Sequence, residues 1–310
     1  MKRSIGVSVL CWLLVAAVFC GLPALAGAED TEEAYTENEW NYVDGAMDIS
    51  SGIPENASGV LDRIRRTGVL RVATEPYFAP QEFIDPDLSG QETYVGADMK
   101  LARLIAQRMG VELEIIPMDF SQVLPALSED LCDLTISAIA FTPGRASAYA
   151  MSKGYYFADS VASTGFVIRA DDLEAITSEE DLSERTIVAQ SSSLQETLVA
   201  EHVHSYREFR RLTSVQSVYD AVRNRRADAG AVDLETAENW IQNNPQAGLV
   251  IARGLYYALE EQYMGDRIVA KKGELQLIYF VNAVINEVLE DGSYMTWIEE
   301  AQQRANELGL

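Results

Sequence analysis

The sequence predicts an α/β protein with two lobes, each built on a mainly parallel sheet flanked by helices. Strand and helix patterns alternate from about residue 60 to the C-terminus, which is typical of parallel sheets with helices on both faces. The alternation falls into two sets, and polar or aromatic residues follow the ends of several predicted strands. A chain of 310 residues is long enough for two such lobes.

The first set of elements contains a clear amphipathic helix over 97–109. Its apolar residues fall mostly on one face, and Gly110 is a typical stop signal. The elements of this set are a strand over 69–73, the helix over 97–109, a strand over 111–117, a short helix over 122–127 and a strand over 131–139.

The second set repeats the alternation, and a tail with one strand and two helices follows it. The predicted strands of this set lie at 165–169, 187–190, 228–232 and 249–252, and its helices at 195–203, 215–224 and 234–242. The tail comprises a strand over 266–270, a helix over 275–289 and a helix over 294–308. No repeat of solenoid length is visible.

The N-terminal residues 1–28 have the pattern of a secretory signal. Lys2 and Arg3 precede an apolar run over 7–19, and a small-residue cleavage pattern ends at Ala28. An uncleaved anchor and lipidation at Cys20 are the alternatives, and a bulky Phe19 disfavours the second. Residues 29–58 are acidic and weakly periodic, so we expect a flexible tether there.

The acidic composition excludes several classes of function. The formal net charge is −24, which disfavours nucleic acid and anionic membranes as partners. Cys132 is the one cysteine beyond the signal, so no intramolecular disulfide is expected. The two histidines, His202 and His204, form no zinc pattern, and we expect neither a metal nor a cofactor. No serine lies in a Gly-x-Ser-x-Gly context, so we expect no catalytic residue of that type.

An arginine breaks a local rule directly after the predicted strand 131–139. Thr142 and Pro143 begin a helix as N-cap and first residue, which places Arg145 in the first turn. The helix dipole disfavours a cation there, so we interpret Arg145 as a residue placed for a ligand. Guanidinium groups bind carboxylates in a bidentate manner, although Arg145 alone could equally be a surface residue.

Other candidate residues follow other strands, where open α/β sheets bind their ligands. Glu75 and Phe78 follow the first strand, and Phe120 follows the second. Ser193 begins a helix with a capping box, whose free N–H groups suit an anion, and Asp233 precedes a helix as a possible N-cap. Each residue alone has an ordinary structural explanation. Together they provide for a carboxylate, an ammonium and a side chain, as an amino acid requires.

Several segments resemble the extracellular solute-binding proteins, family 3, of polar amino-acid ABC importers. The likeness covers residues 61–310, with the motifs in family order. It rests on LDRIRRTGVLRVATEPYFAPQEFID, YVGADMKLARLIAQRMGVELEIIPMDFSQVLPAL, TPGRASAYAMSKGYYF, RADAGAVD and KKGELQLIYFVNAVINEVLEDGSYMTWIEE.

The resemblance implies the periplasmic-binding-protein type 2 fold, with two lobes that close on a ligand. Lobe 1 would comprise 59–156 and 264–310, and lobe 2 would comprise 157–263, with hinges near 155–159 and 260–264. Arg145 would bind the α-carboxylate and Asp233 the α-ammonium. The remaining ligand-binding residues would be Glu75, Phe78, Phe120, Ser137, Ala138, Ala140, Gln190, Ser193 and Leu194.

The sequence departs from the family pattern at Ala140, where relatives have Thr or Ser, and at Ser192, Leu194 and Gln81. These departures leave open which amino acid is bound. We expect a monomeric, non-enzymatic binder outside the cytoplasmic membrane that delivers an amino acid to a membrane permease. The alternatives are a cyclohexadienyl dehydratase-like enzyme on the same scaffold and a ligand-sensing module for a membrane receptor.

Overall fold

The computed structural model describes residues 42–157, 162–259 and 264–310. The predicted signal peptide lies outside these residues, as do residues 29–41 of the predicted tether, residues 158–159 of the first predicted hinge and residues 260–263 of the second. None of the described helices is long and apolar enough to cross a membrane.

The strands of the described residues form three sheets. They are β1 (Val69–Thr74), β2 (Tyr77–Phe78), β3 (Glu82–Ile84), β4 (Tyr94–Val95), β5 (Glu112–Pro117), β6 (Leu134–Ala140), β7 (Tyr149–Tyr156), β8 (Ala162–Arg169), β9 (Thr186–Gln190), β10 (Glu208–Leu212), β11 (Ala229–Asp233), β12 (Leu249–Ala258) and β13 (Asp266–Lys271).

Apart from α1, which the sequence analysis did not predict, the α-helices begin close to the predicted positions. They are α1 (Gly59–Thr67), α2 (Ala97–Met109), α3 (Phe120–Ser128), α4 (Pro143–Ala148), α5 (Leu194–His202), α6 (Val215–Arg223), α7 (Leu234–Asn243), α8 (Leu275–Glu290) and α9 (Ser293–Leu308). Gly110 ends α2 in the left-handed conformation, as its position in the sequence predicts.

The two five-stranded sheets have the same architecture. Their strand orders are β5-β1-β6-β13-β7 and β10-β9-β11-β8-β12, and the third sheet, β2-β3-β4, is small. In each large sheet one strand is reversed, β13 in the first and β8 in the second, while the others run in parallel. The chain passes between the sheets twice, from β7 to β8 and from β12 to β13. The prediction of mainly parallel sheets is confirmed.

Both large sheets carry apolar cores on their two faces. In the first sheet, α1, α2 and α8 supply residues of one core, and α3 and α4 supply residues of the opposite one. In the second sheet, α5 covers one face, and α6 and α7 cover the other. This arrangement brings the ends of β1, β6, β9 and β11 toward one cavity, where the candidate residues follow.

The sequence analysis missed α1, the small sheet, β7 and β10. The strand β10 carries three charged residues, and its neighbour in the sheet is β9 alone, so its apolar pattern is weak. The strand predicted over 131–139 begins only at Leu134. Asp133, immediately before it, accepts hydrogen bonds from the Arg71 backbone and from the Arg63 and Arg71 side chains, and these bonds pin the chain before the strand.

The prediction of a flexible tether is wrong for the described residues 42–58. Val43 is buried, and its backbone N–H donates to the Met151 carbonyl at 2.9 Å. The side chain of Asn282 donates to the carbonyls of Val43 and Gly45. Tyr42 lies against the guanidinium of Arg267, with 4.1 Å between the guanidinium carbon and the ring centroid. These anchors are distant in sequence, so local composition carries no sign of them.

Gly96 joins the small sheet to α2, and only glycine fits there. Its φ is +114°, and a Cβ at this position would collide with the Gln81 carbonyl.

We predict that Gly96→Ala lowers the free energy of unfolding by about 3 kcal/mol or more. Gly110 is the matched control, because its φ is +71° but a Cβ there meets no atom within 4 Å. Gly110→Ala should cost only about 1 kcal/mol. Urea denaturation of both variants measures the difference, and equal losses would contradict the close-packing argument.

Candidate functional site

A cavity of about 120 Å³ lies between the two large sheets, and its lining contains all eleven residues that the sequence analysis proposed. The lining residues are Glu75, Phe78, Gln81, Glu82, Phe120, Ser137, Ala138, Ala140, Arg145, Tyr156, Gln190, Ser193, Leu194, Gln195, Asp233, Glu235, Leu259, Met264, Gly265 and Asp266. The structure therefore brings the proposed residues to one place, and their role in binding stays a prediction.

Arg145 lies in the first turn of α4, as predicted, and reaches across the cavity. The Thr142 side chain caps the helix by accepting from the Arg145 backbone N–H. The guanidinium donates to the Ala140 carbonyl at 2.7 Å and to the Ser192 carbonyl at 2.9 Å, which lie beside different sheets. It also lies 5.9 Å from the ring centroid of Phe120. Burial lowers the pKa of Arg145 to about 10, so the side chain stays cationic at neutral pH.

Ser193 and Asp233 serve as helix N-caps and line the cavity as well. The Ser193 hydroxyl accepts from the Glu196 backbone N–H at 3.1 Å, at the start of α5. Asp233 Oδ1 accepts from the Thr236 backbone N–H at 2.9 Å, at the start of α7. Burial raises the pKa of Asp233 to about 6. The structural explanation is thus correct for both residues, and it places two helix N-termini at the cavity.

Glu75 is a buried carboxyl at the end of β1, with 2% of its surface exposed. The Gln190 amide, from the other large sheet, donates to Glu75 Oε1 at 3.3 Å. Burial, followed by the charge of Asp119, raises the pKa of Glu75 to about 8. Glu75 is therefore mostly protonated at neutral pH. A cation beside it would favour its ionised form.

The strand β6 bulges where it borders the cavity. Ile139 pairs with Arg267 of β13 and Thr135 pairs with Val269, so three residues of β6 oppose one residue of β13. Ala138, within the bulge, has a φ of +43°. The Ser137 hydroxyl donates to Glu82 Oε1 and accepts from the Glu75 backbone N–H, so its hydrogen bonds are used within the protein.

The sequence analysis missed three further carboxyls of the lining, namely Glu82, Glu235 and Asp266. Glu235 accepts a hydrogen bond from the Tyr156 hydroxyl at 2.8 Å. Burial raises the pKa values of Glu82 and Asp266 well above their usual range. The one signal in the sequence was an acidic residue at the start of the apolar strand over 266–270. The lining residues Gln81, Tyr156, Gln195, Leu259, Met264 and Gly265 were not proposed either.

Carboxyl groups outnumber basic groups in the lining of the cavity. The described lining residues include five carboxyls, those of Glu75, Glu82, Asp233, Glu235 and Asp266, and one basic side chain, that of Arg145. Within the described part of the chain, no group of three or more His, Cys, Asp and Glu residues is arranged to hold a metal ion. An organic cation that also carries an anionic group matches this distribution of charge.

Comparison with known proteins points to one family. The profile of the bacterial extracellular solute-binding proteins, family 3, matches residues 70–300. A probable histidine-binding protein of Campylobacter jejuni is 23% identical over 239 residues, which cover 76% of this chain and 85% of that protein. The lysine/arginine/ornithine-binding periplasmic protein of Escherichia coli is 26% identical over 230 residues, 73% of this chain and 84% of the relative.

Solved structures agree with the sequence comparison. An amino acid ABC transporter substrate-binding protein of Streptococcus pneumoniae, bound to L-arginine, superposes with a TM-score of 0.70 at 30% identity. The match covers 79% of this chain and 98% of that protein. The predicted two-sheet α/β architecture is thus that of known amino-acid-binding proteins.

The raised pKa of Glu75 predicts a pH-dependent stability. Folded Glu75 keeps its proton up to about pH 8, whereas unfolded Glu75 loses it near pH 4.5, so rising pH between these values destabilises the fold. We predict that Glu75→Gln stabilises the unliganded protein relative to wild type, by an amount that grows by up to ~1.4 kcal/mol per pH unit. Urea denaturation from pH 5 to pH 8 measures it. The control Glu201→Gln, at an exposed position, should track wild type; a constant difference for Glu75→Gln would refute the assignment.

Proposed function

Since this chain belongs to the bacterial extracellular solute-binding proteins, family 3, we propose that it binds a cationic L-amino acid outside the cytoplasmic membrane and delivers it to an ABC permease. The relatives named for histidine, for lysine, arginine and ornithine, and the homologue bound to L-arginine support this class of ligand. The observation that carries the proposal is the excess of carboxyl groups over one guanidinium in the cavity lining.

The charges of the cavity match the three charged groups of such a ligand. Arg145 binds the α-carboxylate, because a guanidinium carries five donors and its two bonds to carbonyls leave others available. The N-terminus of α5, at Ser193 and Leu194, adds backbone N–H groups for the same carboxylate. Asp233 and the Ala138 carbonyl accept the α-ammonium.

The side-chain cation of the ligand lies toward Glu75. Phe78 and Phe120 line the same cavity and provide apolar surface for the alkyl part of the ligand. Gln190 connects Glu75 to the second large sheet, so residues of both sheets line this end of the cavity. A cation that enters here replaces the proton of Glu75 as the counter-charge, which offsets the cost of burying the carboxylate.

Binding closes two lobes, comprising residues 59–156 with 264–310, and residues 157–263. Contacts from Arg145 to Ser192, from Gln190 to Glu75 and from Tyr156 to Glu235 join the two sheets across the cavity. A ligand that pairs with groups on both sides favours the closed arrangement, because it contacts both lobes only there.

A dehydratase-like activity is the second candidate, and one observation favours it. Glu75 is buried and holds a proton at neutral pH, as a general acid in the cavity would. Incubation with prephenate or arogenate separates the two functions, since a pure binding protein leaves both substrates intact.

We predict that calorimetry against the twenty amino acids finds the tightest binding for L-arginine, L-lysine or L-histidine. Arg145→Ala should weaken that binding by about 100-fold or more, because it leaves the ligand carboxylate buried without its charged partner. The control Arg108→Ala removes a guanidinium that pairs with Glu287 at the surface and should retain wild-type affinity. Preferred binding of an acidic amino acid, or unchanged affinity in Arg145→Ala, would overturn the proposal.

We also predict that L-arginine binding releases a proton between pH 6 and pH 8. In the unliganded protein Glu75 has a pKa of about 8, and the cationic ligand favours its ionised form. The affinity for L-arginine should therefore rise by up to about tenfold per pH unit in this range. Calorimetry in phosphate and in Tris counts the released protons, because the two buffers differ in ionisation enthalpy. In Glu75→Gln the pH dependence should largely disappear. A wild-type affinity that is flat from pH 6 to pH 8 would contradict the role of Glu75.

A further inference from the structure

Ala138 is held in an unfavourable backbone conformation at the edge of the cavity. Its φ of +43° lies in the left-handed region, where a Cβ comes too close to the following carbonyl oxygen. Beside it, β6 bulges against β13, which takes residues 136–138 out of the regular ladder. Something other than strand pairing must therefore hold the Ala138 peptide in place.

The carboxylate of Asp98 supplies that hold. Asp98 is fully buried at the start of α2, and its Oδ2 accepts from the Ala138 backbone N–H at 3.0 Å. The carboxylate is itself fixed by two phenols. The Tyr155 hydroxyl donates to Oδ2 at 2.8 Å, and the Tyr294 hydroxyl donates to Oδ1 at 2.6 Å.

The anchor of Asp98 extends through much of the first large sheet and its helices. Tyr155 belongs to β7, near the point where the chain leaves this sheet, and Tyr294 belongs to α9. The two rings pack edge to face with 5.1 Å between their centroids. Glu82 is buried beside Asp98 and accepts a hydrogen bond from the Ser137 hydroxyl. Ser137, the residue before Ala138, is therefore held by a neighbour of Asp98.

We propose that Asp98, which does not line the cavity, is a positioning residue for the ligand site: it locks Ala138 in the left-handed conformation and thereby orients the Ala138 carbonyl toward the ligand ammonium. The inference rests on the proposed function, because that function assigns the ammonium to this carbonyl and to Asp233. Asp98 acts through the backbone, and its loss changes the affinity without removing a direct ligand contact.

A double-mutant cycle tests the proposal. Asp98→Asn should weaken L-arginine binding by about tenfold, because the neutral amide holds the Ala138 peptide less firmly. Glycine adopts the left-handed conformation at no steric cost, so in an Ala138→Gly background the same Asp98→Asn change should weaken binding by less than about threefold. A purely structural role of Asp98 in the core would give equal losses in both backgrounds.

Ser192 provides the matched control for the glycine background. It has a φ of +64° near the cavity, and its backbone N–H donates to Glu196 rather than to Asp98. In a Ser192→Gly background, Asp98→Asn should therefore cost the same factor in affinity as in wild type. If Ser192→Gly reduced the affinity loss of Asp98→Asn as much as Ala138→Gly does, glycine would act through general flexibility and the proposal would be overturned.

The Ala138 amide resonance gives a readout that needs no ligand. In Asp98→Asn the amide proton should move upfield, since its hydrogen bond to a carboxylate is weakened. Tyr155→Phe should move it downfield, because the Tyr155 hydroxyl no longer shares Oδ2 with the Ala138 N–H. The second variant keeps the test available if Asp98→Asn folds poorly. An unmoved resonance in both variants would refute the hold on Ala138.

The two assays separate the two hypotheses. If wild type binds L-arginine while the cycle is additive and the resonance is unmoved, the positioning role is wrong and the proposed function stands. If wild type binds no amino acid, the proposed function is wrong and with it the orientation of the carbonyl toward a ligand ammonium. The amide resonance then still decides whether Asp98 holds the bulge.

Discussion

Carboxyl groups that line a cavity between two sheets, opposite one guanidinium, impose the constraint on which the rest of the site depends. Five such groups line the cavity with Arg145, and burial raises the pKa values of Glu75, Glu82, Asp233 and Asp266. An isolated buried anion is costly, so these groups hold protons, accept hydrogen bonds or are stabilised by a cation beside them. The preference for a cationic ligand and the pH dependence of both stability and affinity follow from the same cost.

The fold meets this constraint by placing the ends of strands and the N-termini of helices at the cavity. Parallel strands end there, and the helices α5 and α7 begin there, so N–H groups and capping side chains surround the ligand position. The bulge of β6 adds peptide groups that are free of the regular ladder. Ligand recognition and secondary structure use the same residues, as the caps Ser193 and Asp233 illustrate.

The residues that could be predicted are those with a local signal. Arg145 violates the helix dipole, Ser193 and Asp233 have capping patterns, and Glu75 follows a strand before a proline. Glu82, Glu235 and Asp266 have no comparable signal, because an acidic residue in a short strand or in the first turn of a helix is unremarkable in sequence. Asp98 is the clearest case. In the sequence it has the position of an ordinary acidic residue in the first turn of α2, yet it is buried between the hydroxyls of Tyr155 and Tyr294.

The sequence by itself determined the alternation of strands and helices, the two-sheet architecture and the set of residues at strand ends. These follow from periodicity and from capping, which act over a few neighbouring residues. Only the tertiary structure decided that residues 42–58 pack on the body, that β6 bulges at Ala138 and that five carboxyls meet one arginine. Each of these depends on groups distant in the chain, such as Val43 with Met151 or Ala138 with Asp98. Such pairing, and the burial that shifts the pKa values, exists only once the chain has folded.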